Sequence, residues 1–263
     1  MSRESRIRLK VERAKRHVAE FERELRAFFD TNPYKVGAKR DPQTRKWVYY
    51  VAGADPIPEC LPLIAGDAIQ NLMTALDHLA YQIVCSDTGD RPPKPRRIYF
   101  PIANDASEYE ARKRGKMDGA LQETFDAIDA LKPYKGGNDL LWVLYRLNVI
   151  EKHRLLLTIG AQAAGVNFAQ YMARSPALPR EAVSRFESMS FFLKSTDRGF
   201  PLKEGFELFI GTADDEPNPK QQFRFDVAFG EPGIIEGEPV LEAIRQLTAL
   251  VEGIITALAP RLR

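Results

Sequence analysis

Residues 6–29 read RIRLKVERAKRHVAEFERELRAFF, and in this stretch Ile7, Val11, Ala14, Val18, Phe21, Leu25 and Phe28 recur at alternating spacings of four and three. That period belongs to an α-helix with one apolar seam, and the Arg, Lys and Glu between the seam positions read as solvated surface. The last helical segment of the chain answers it. In residues 239–260, PVLEAIRQLTALVEGIITALAP, the positions Val240, Ile244, Leu247, Val251, Ile254 and Leu258 repeat the same seam, and Pro239 suits a first helical turn. Two terminal helices with matching seams pack most economically on whatever helices lie between them, which predicts a bundle.

Working inward, residues 30–46 break the first helix with Pro33, Gly37 and Pro42, and KWVYYVAG (46–53) reads as a strand. A second long helix is expected within PIPECLPLIAGDAIQNLMTALDHLAYQIV (56–84). Ile69, Leu72, Leu76, Leu79 and Ile83 form its apolar face, while Asp67, Asn71, Thr74, His78 and Tyr81 form a polar stripe. Residues 86–105 read as loop, including RPPKPRR and an extended IYFPI. Leu121, Phe125, Ile128 and Leu131 mark a third helix ending at KPYKGG. A fourth, about 139–158, can be capped by Asn138 or Asp139.

Beyond it the pattern turns β-like. SMSFFLKS, GFELFIG and FRFDVAF are strand candidates, the last two expected to pair across a polar hairpin tip, TADDEPNPKQQ. The expectation is a single α+β domain over residues 1–263. A bundle of about five helices takes up about 1–160 and 238–260, with a small antiparallel sheet from about 186–230 in the C-terminal half. No internal repeat interrupts it.

Composition narrows the function classes. At 44% apolar residues the chain of 263 residues can build a large core, and its apolar runs are too short to cross a membrane. The N-terminus has no apolar segment of the signal-peptide kind, and Cys60 and Cys85 form no metal or disulfide framework. A cytoplasmic protein without membrane contact is expected. The net charge of +2, with its positive excess in the front half, permits nucleic-acid contact without demanding it. Neither G-x-x-x-x-G-K-[ST], G-x-G-x-x-G nor G-x-S-x-G occurs, so no nucleotide cofactor or serine-hydrolase chemistry is indicated and no cofactor is expected.

Chemistry concentrates on the second and fourth helices. LYRLNVIEKHRLLL (144–157) places Arg146, Glu151, Lys152, His153 and Arg154 in an otherwise apolar helix. Were the two helices to pack together, Asp67, Asn71 and His78 could meet Asn148, Lys152 and His153 in a polar pocket whose groups must pair with one another, water or a ligand.

The motifs GD-x3-N-x5-DH (66–78) and LN-x2-E-KHR (147–154), with the closing helix, resemble those of a set of uncharacterised bacterial proteins. The likeness covers most of the chain. It implies a shared site at Gly66, Asp67, Asn71, Asp77, His78, Asn148 and Glu151 to Arg154, and carries no activity with it. Arg146, six intervening residues and His153 also resemble the active-site motif of HEPN-superfamily ribonucleases, which are helical and usually dimeric. That resemblance implies metal-independent RNA cleavage in a homodimer. His153 would be the general base or acid, Arg146 or Lys152 would face phosphate, and Asn148, Asn71 and His78 would orient. The position after the arginine, polar in that family, is Leu147 here, with Asn148 one further on. Two other readings stand beside it. His17, His78 and His153 on three helices are similar to the ligands of DinB-type metal-binding bundles. There His17, beside the seam, is expected to be exposed, so His78, His153, Asp67 and Glu151 are the alternative ligands. Finally, the charges can form an interhelical network that fixes helix register, with no enzymatic role.

Overall fold

The computed structural model describes residues 2–153, 159–173, 183, 192–193, 200–211, 217–218 and 221–262. Their fold is α+β, with seven α-helices and two three-stranded antiparallel sheets among the described residues. In chain order these are α1 (Arg3–Asp30), β1 (Tyr34–Arg40), β2 (Trp47–Ala54), α2 (Cys60–Asp87), α3 (Ala106–Lys116), α4 (Gln122–Asp129), α5 (Asp139–His153), β3 (Ile159–Asn167), α6 (Phe168–Met172), β4 (Phe192–Leu193), β5 (Glu207–Ile210), β6 (Phe223–Phe229) and α7 (Val240–Leu258).

The bundle is built as the two seams require. α1 lies along α2, α7 packs on both, and α5 packs on α2 and α7. Caps start the helices where the sequence supplies them. Ser2 accepts the Ser5 N–H for α1, Asp105 that of Glu108 for α3, and Asn138 that of Leu141 for α5. Of the two capping candidates for α5, Asn138 therefore makes the bond. The expected stretch 154–158 of that helix lies outside the described residues, as does most of SMSFFLKS and of the hairpin tip.

One seam position differs from the sequence reading. The buried residues of α1 are Ile7, Val11, Ala14, His17, Phe21, Leu25 and Phe28, so His17 occupies the place expected for Val18, which is only half-buried. Steps of 14 to 17 to 21 keep the seam in phase, and the imidazole follows the backbone inward. The expectation of an exposed His17 is thus overturned: it is 5% exposed, with Nδ1 3.5 Å from a Glu20 carboxylate oxygen.

The sheets also depart from expectation. β5 pairs with β2, Val48 opposite Ile210, and β6 pairs with β3, Gln162 opposite Asp226, so the two anticipated hairpin partners belong to different sheets. β6 finds in β3 a strand as long as itself, whereas β5 extends the edge of the β1–β2 hairpin. The aromatic face of β6 closes the gap between the sheets: Phe225 lies 4.8 Å from Tyr34 and Phe223 5.5 Å from Tyr49, ring centroid to centroid. A second, smaller core of Phe28, Tyr34, Val51, Ala161, Ala163 and Leu202 results, beside the main one. No helix among the described residues is long and apolar enough to cross a membrane.

Candidate functional site

The polar stripe of α2 faces outward. Asp67 and His78 are exposed, and Asn71 and Thr74 are half-exposed. Asn71 donates its amide N–H to the Asp67 carbonyl at 2.8 Å and Thr74 its hydroxyl to the Gln70 carbonyl at 2.7 Å, so both bond back to their own helix. Partial burial, with some help from the nearby Lys10, lowers the pKa of His78 and favours its neutral form.

The face of α2 turned toward α5 carries different residues, Gly66 and Asp77 among them. The Glu151 carboxyl group of α5 sits directly over Gly66. A Cβ added there would come within 2.5 Å of the Glu151 Cδ, so any larger residue would displace that carboxyl group from its seat. Glu151 Oε2 is buried with no hydrogen-bond partner. Its carboxyl is held above the usual range, first by burial and then by the negative charge of Asp67. One turn earlier, Asn148 is 3% exposed and its Oδ1 also lacks a partner.

Farther along α2, Asp77 accepts the N–H of Phe100 at 3.0 Å. Burial raises its pKa, and that bond together with the charges of Lys152 and Lys116 works against the rise. Lys116, at the end of α3, donates to the Ile102 carbonyl at 2.8 Å and lies 5.6 Å from the centre of the Tyr145 ring. Burial lowers its pKa. The extended segment 98–103 is thereby held between α2 and α3 by one carboxylate and one ammonium. Lys116 does not stand out in the sequence, because RKRGK (112–116) is charged at four of its five positions. The signal was present as Tyr109, Lys113 and Lys116 at spacings of four and three, the inward side of a helix.

Arg146 and His153 lie on another face of α5. Seven positions apart, they are two turns from one another on the same side, together with Trp142 and Val149. His153 and Lys152 are exposed. Arg146 is half-buried, and its Nε is buried without a hydrogen-bond partner. Trp142 is tied down by a 3.3 Å bond from its indole N–H to Asn104 and by Lys135 over its ring.

The sequence-derived residues therefore do not form one closed pocket. Glu151 reaches Gly66 and Asp67, and Lys152 lies within electrostatic reach of Asp77. His78 and His153 each open to solvent from their own helix. For the metal alternative of His78, His153, Asp67 and Glu151, no group of three or more His, Cys, Asp or Glu among the described residues could hold a metal ion. Arg154 lies outside the described residues. No protein-family model, curated protein or solved structure matches the chain.

Proposed function

We propose that the outer face of α5 binds RNA and cleaves it without a metal ion, in the manner of the HEPN-superfamily ribonucleases that the Arg146-x6-His153 spacing resembles. The observation that carries this reading is the buried, unpartnered Nε of Arg146 on the same face as an exposed His153. A guanidinium nitrogen buried with no hydrogen-bond partner is costly to keep, and Arg146 forms no ion pair among the described residues, so a phosphate diester would supply paired oxygens to its planar edge. His153, two turns on, then takes the proton of the ribose 2'-hydroxyl. The 2'-oxygen attacks phosphorus, the P–O5' bond breaks, and the leaving 5'-oxygen takes a proton from solvent. The products are a 2',3'-cyclic phosphate and a 5'-hydroxyl. Lys152, exposed on the neighbouring face, adds positive charge for the flanking backbone. Asn71 and His78 orient the strand in this reading, whereas Asn148, 3% exposed and off that face, does not reach it, and a homodimer would bring two such faces together.

The test is incubation of a labelled mixed-sequence RNA with the purified protein in EDTA, beside folded His153→Ala and Arg146→Ala variants. Cleavage that leaves cyclic-phosphate ends, is abolished in the first and falls at least a hundredfold in the second is expected. Equal cutting by His153→Ala would sink the assignment. Sedimentation equilibrium checks the dimer.

A second reading has its own support. The bonds from Asp77 to Phe100 and from Lys116 to Ile102 show part of the charged cluster fastening a loop to two helices. On that reading Lys152 serves the fold by its charge opposite Asp77, and the α2–α5 cluster is a polar clasp.

A further inference from the structure

A different polar cluster lies on the second sheet. Pairing sets Gln162 of β3 opposite Asp226 of β6, and Arg224 follows two residues back on the same face of the strand. Phe223 and Phe225 point the other way, toward Tyr49 and Tyr34. The three polar side chains, with Phe192, Pro239 and Glu242, line a cavity of about 390 Å³ at the start of α7. Gln162 is 7% exposed, and its Oε1 has no hydrogen-bond partner. Asp226, directly across, does not supply one. Its Oδ1 accepts the N–H of Val227, and burial raises its pKa, with that bond and the charge of Arg224 acting against the rise. α7 starts behind Pro239 without a side-chain cap, and the antiparallel bridge between Ala228 and Pro239 ties its start to β6. Arg224 is exposed and forms no ion pair among the described residues. A neighbouring cavity of about 440 Å³ shares Arg224, Asp226, Pro239 and Glu242 and is lined beyond them by the apolar side chains of Leu25, Phe29 and Leu241 and by four charged side chains of α1 and α7.

We propose that this cavity binds a free α-amino acid with a large apolar side chain. Its carboxylate bonds Arg224, and its ammonium bonds Gln162 Oε1, Asp226 and Glu242. The assignment follows from complementarity. An exposed guanidinium at the cavity rim calls for a carboxylate, and a bare buried amide oxygen beside two carboxylates calls for a cationic N–H donor. The adjoining apolar walls receive the side chain. Only a zwitterion satisfies both ends at once. The site is separate from the α5 face, so its fate does not depend on RNA cleavage.

Calorimetric titration of the full chain with L-leucine and L-phenylalanine tests the proposal, with 3-phenylpropanoate and phenethylamine as analogues lacking one charge each. Saturable one-to-one binding of at least one amino acid is expected, with each single-charge analogue at least tenfold weaker. Gln162→Leu removes the bare amide while keeping the volume, so it should melt no lower than the parent and bind at least tenfold more weakly. Arg224→Gln, at an exposed position, should weaken binding by a similar factor. Failure of both amino acids to bind overturns the proposal. So does phenethylamine binding as tightly as phenylalanine, or unchanged affinity in both variants.

Discussion

Two carboxyl groups seated along α2, its own Asp77 and Glu151 of α5, meet the rest of the molecule in opposite ways. Asp77 has a place prepared for it: the Phe100 N–H donates to it, and two lysines, Lys116 and Lys152, offset its charge. About three turns earlier, Glu151 is pressed over Gly66 with one oxygen buried and bare, and its charged neighbour is the like-charged Asp67. A satisfied buried carboxylate fixes register and holds a loop. An unsatisfied one raises the energy of the apo fold and is retained where something else is to bind. The contrast assigns the Asp77 region to architecture. At the tip of α5, by contrast, Asn148, Glu151 and Arg146 each keep a bare buried atom.

Breaking the satisfied position should have the larger effect on stability. Asp77→Ala leaves the Phe100 N–H without its acceptor and removes the carboxylate that offsets Lys116 and Lys152. Loss of a partner for a half-buried polar group costs about 2 kcal/mol, and urea unfolding would register it as a lower midpoint at unchanged slope. A change below about 0.5 kcal/mol, the range of ordinary surface substitutions, would show that segment 98–103 is held by its apolar contacts instead.

Acidification acts on both positions in the same sense, because burial raises the pKa of Asp77 as well as that of Glu151. Glu151 has a folded pKa above its unfolded one, so the native state holds its proton more tightly than the unfolded chain does. The associated stability is fully present below the ordinary glutamate pKa and is lost as pH rises through the folded value. Lowering the pH from neutral toward the ordinary glutamate range should therefore stabilise the protein. His78 acts in the opposite sense: its lowered pKa means that stability falls as pH drops through the ordinary histidine value. Asp77 and Asp226, raised in the same way, act alike in both proteins, so subtracting the profile of Glu151→Gln isolates the glutamate, and the parent should gain more stability on acidification than the variant. Identical profiles would mean that Glu151 is not strained over Gly66.

Much of this fold is legible in the sequence because the long helices are amphipathic. The seams of α1 and α7 and the apolar face of α2 need no other information. β3, IGAQAAGVN, escapes notice because it is small-residued and buried on both sides, which erases alternation. β1, YKVGAKR, is mostly exposed and becomes a strand only by pairing with β2. α3 is too polar to announce itself. The candidate site was legible as residue types on two helices, but not in its geometry. Which side of α5 meets α2 depends on the crossing of the helices, and the sequence alone left Arg146 and His153 on the same footing as Glu151.

The smallest expected effect is also the most discriminating. Gly66 lies inside a long helix, where alanine in place of glycine is worth about 1 kcal/mol of stability. Here the added Cβ would collide with the Glu151 carboxyl, the far end of a side chain that can swing away only by giving up its seat. The two terms oppose, and Gly66→Ala alone should leave stability nearly unchanged. In a Glu151→Ala background the collision is gone, and the same substitution should stabilise by about 1 kcal/mol, a coupling that a double-mutant cycle reads directly. Independent effects at the two positions would mean that α5 does not seat Glu151 on α2. The glycine would then be left without a steric reason, and the contrast with Asp77 without its second member.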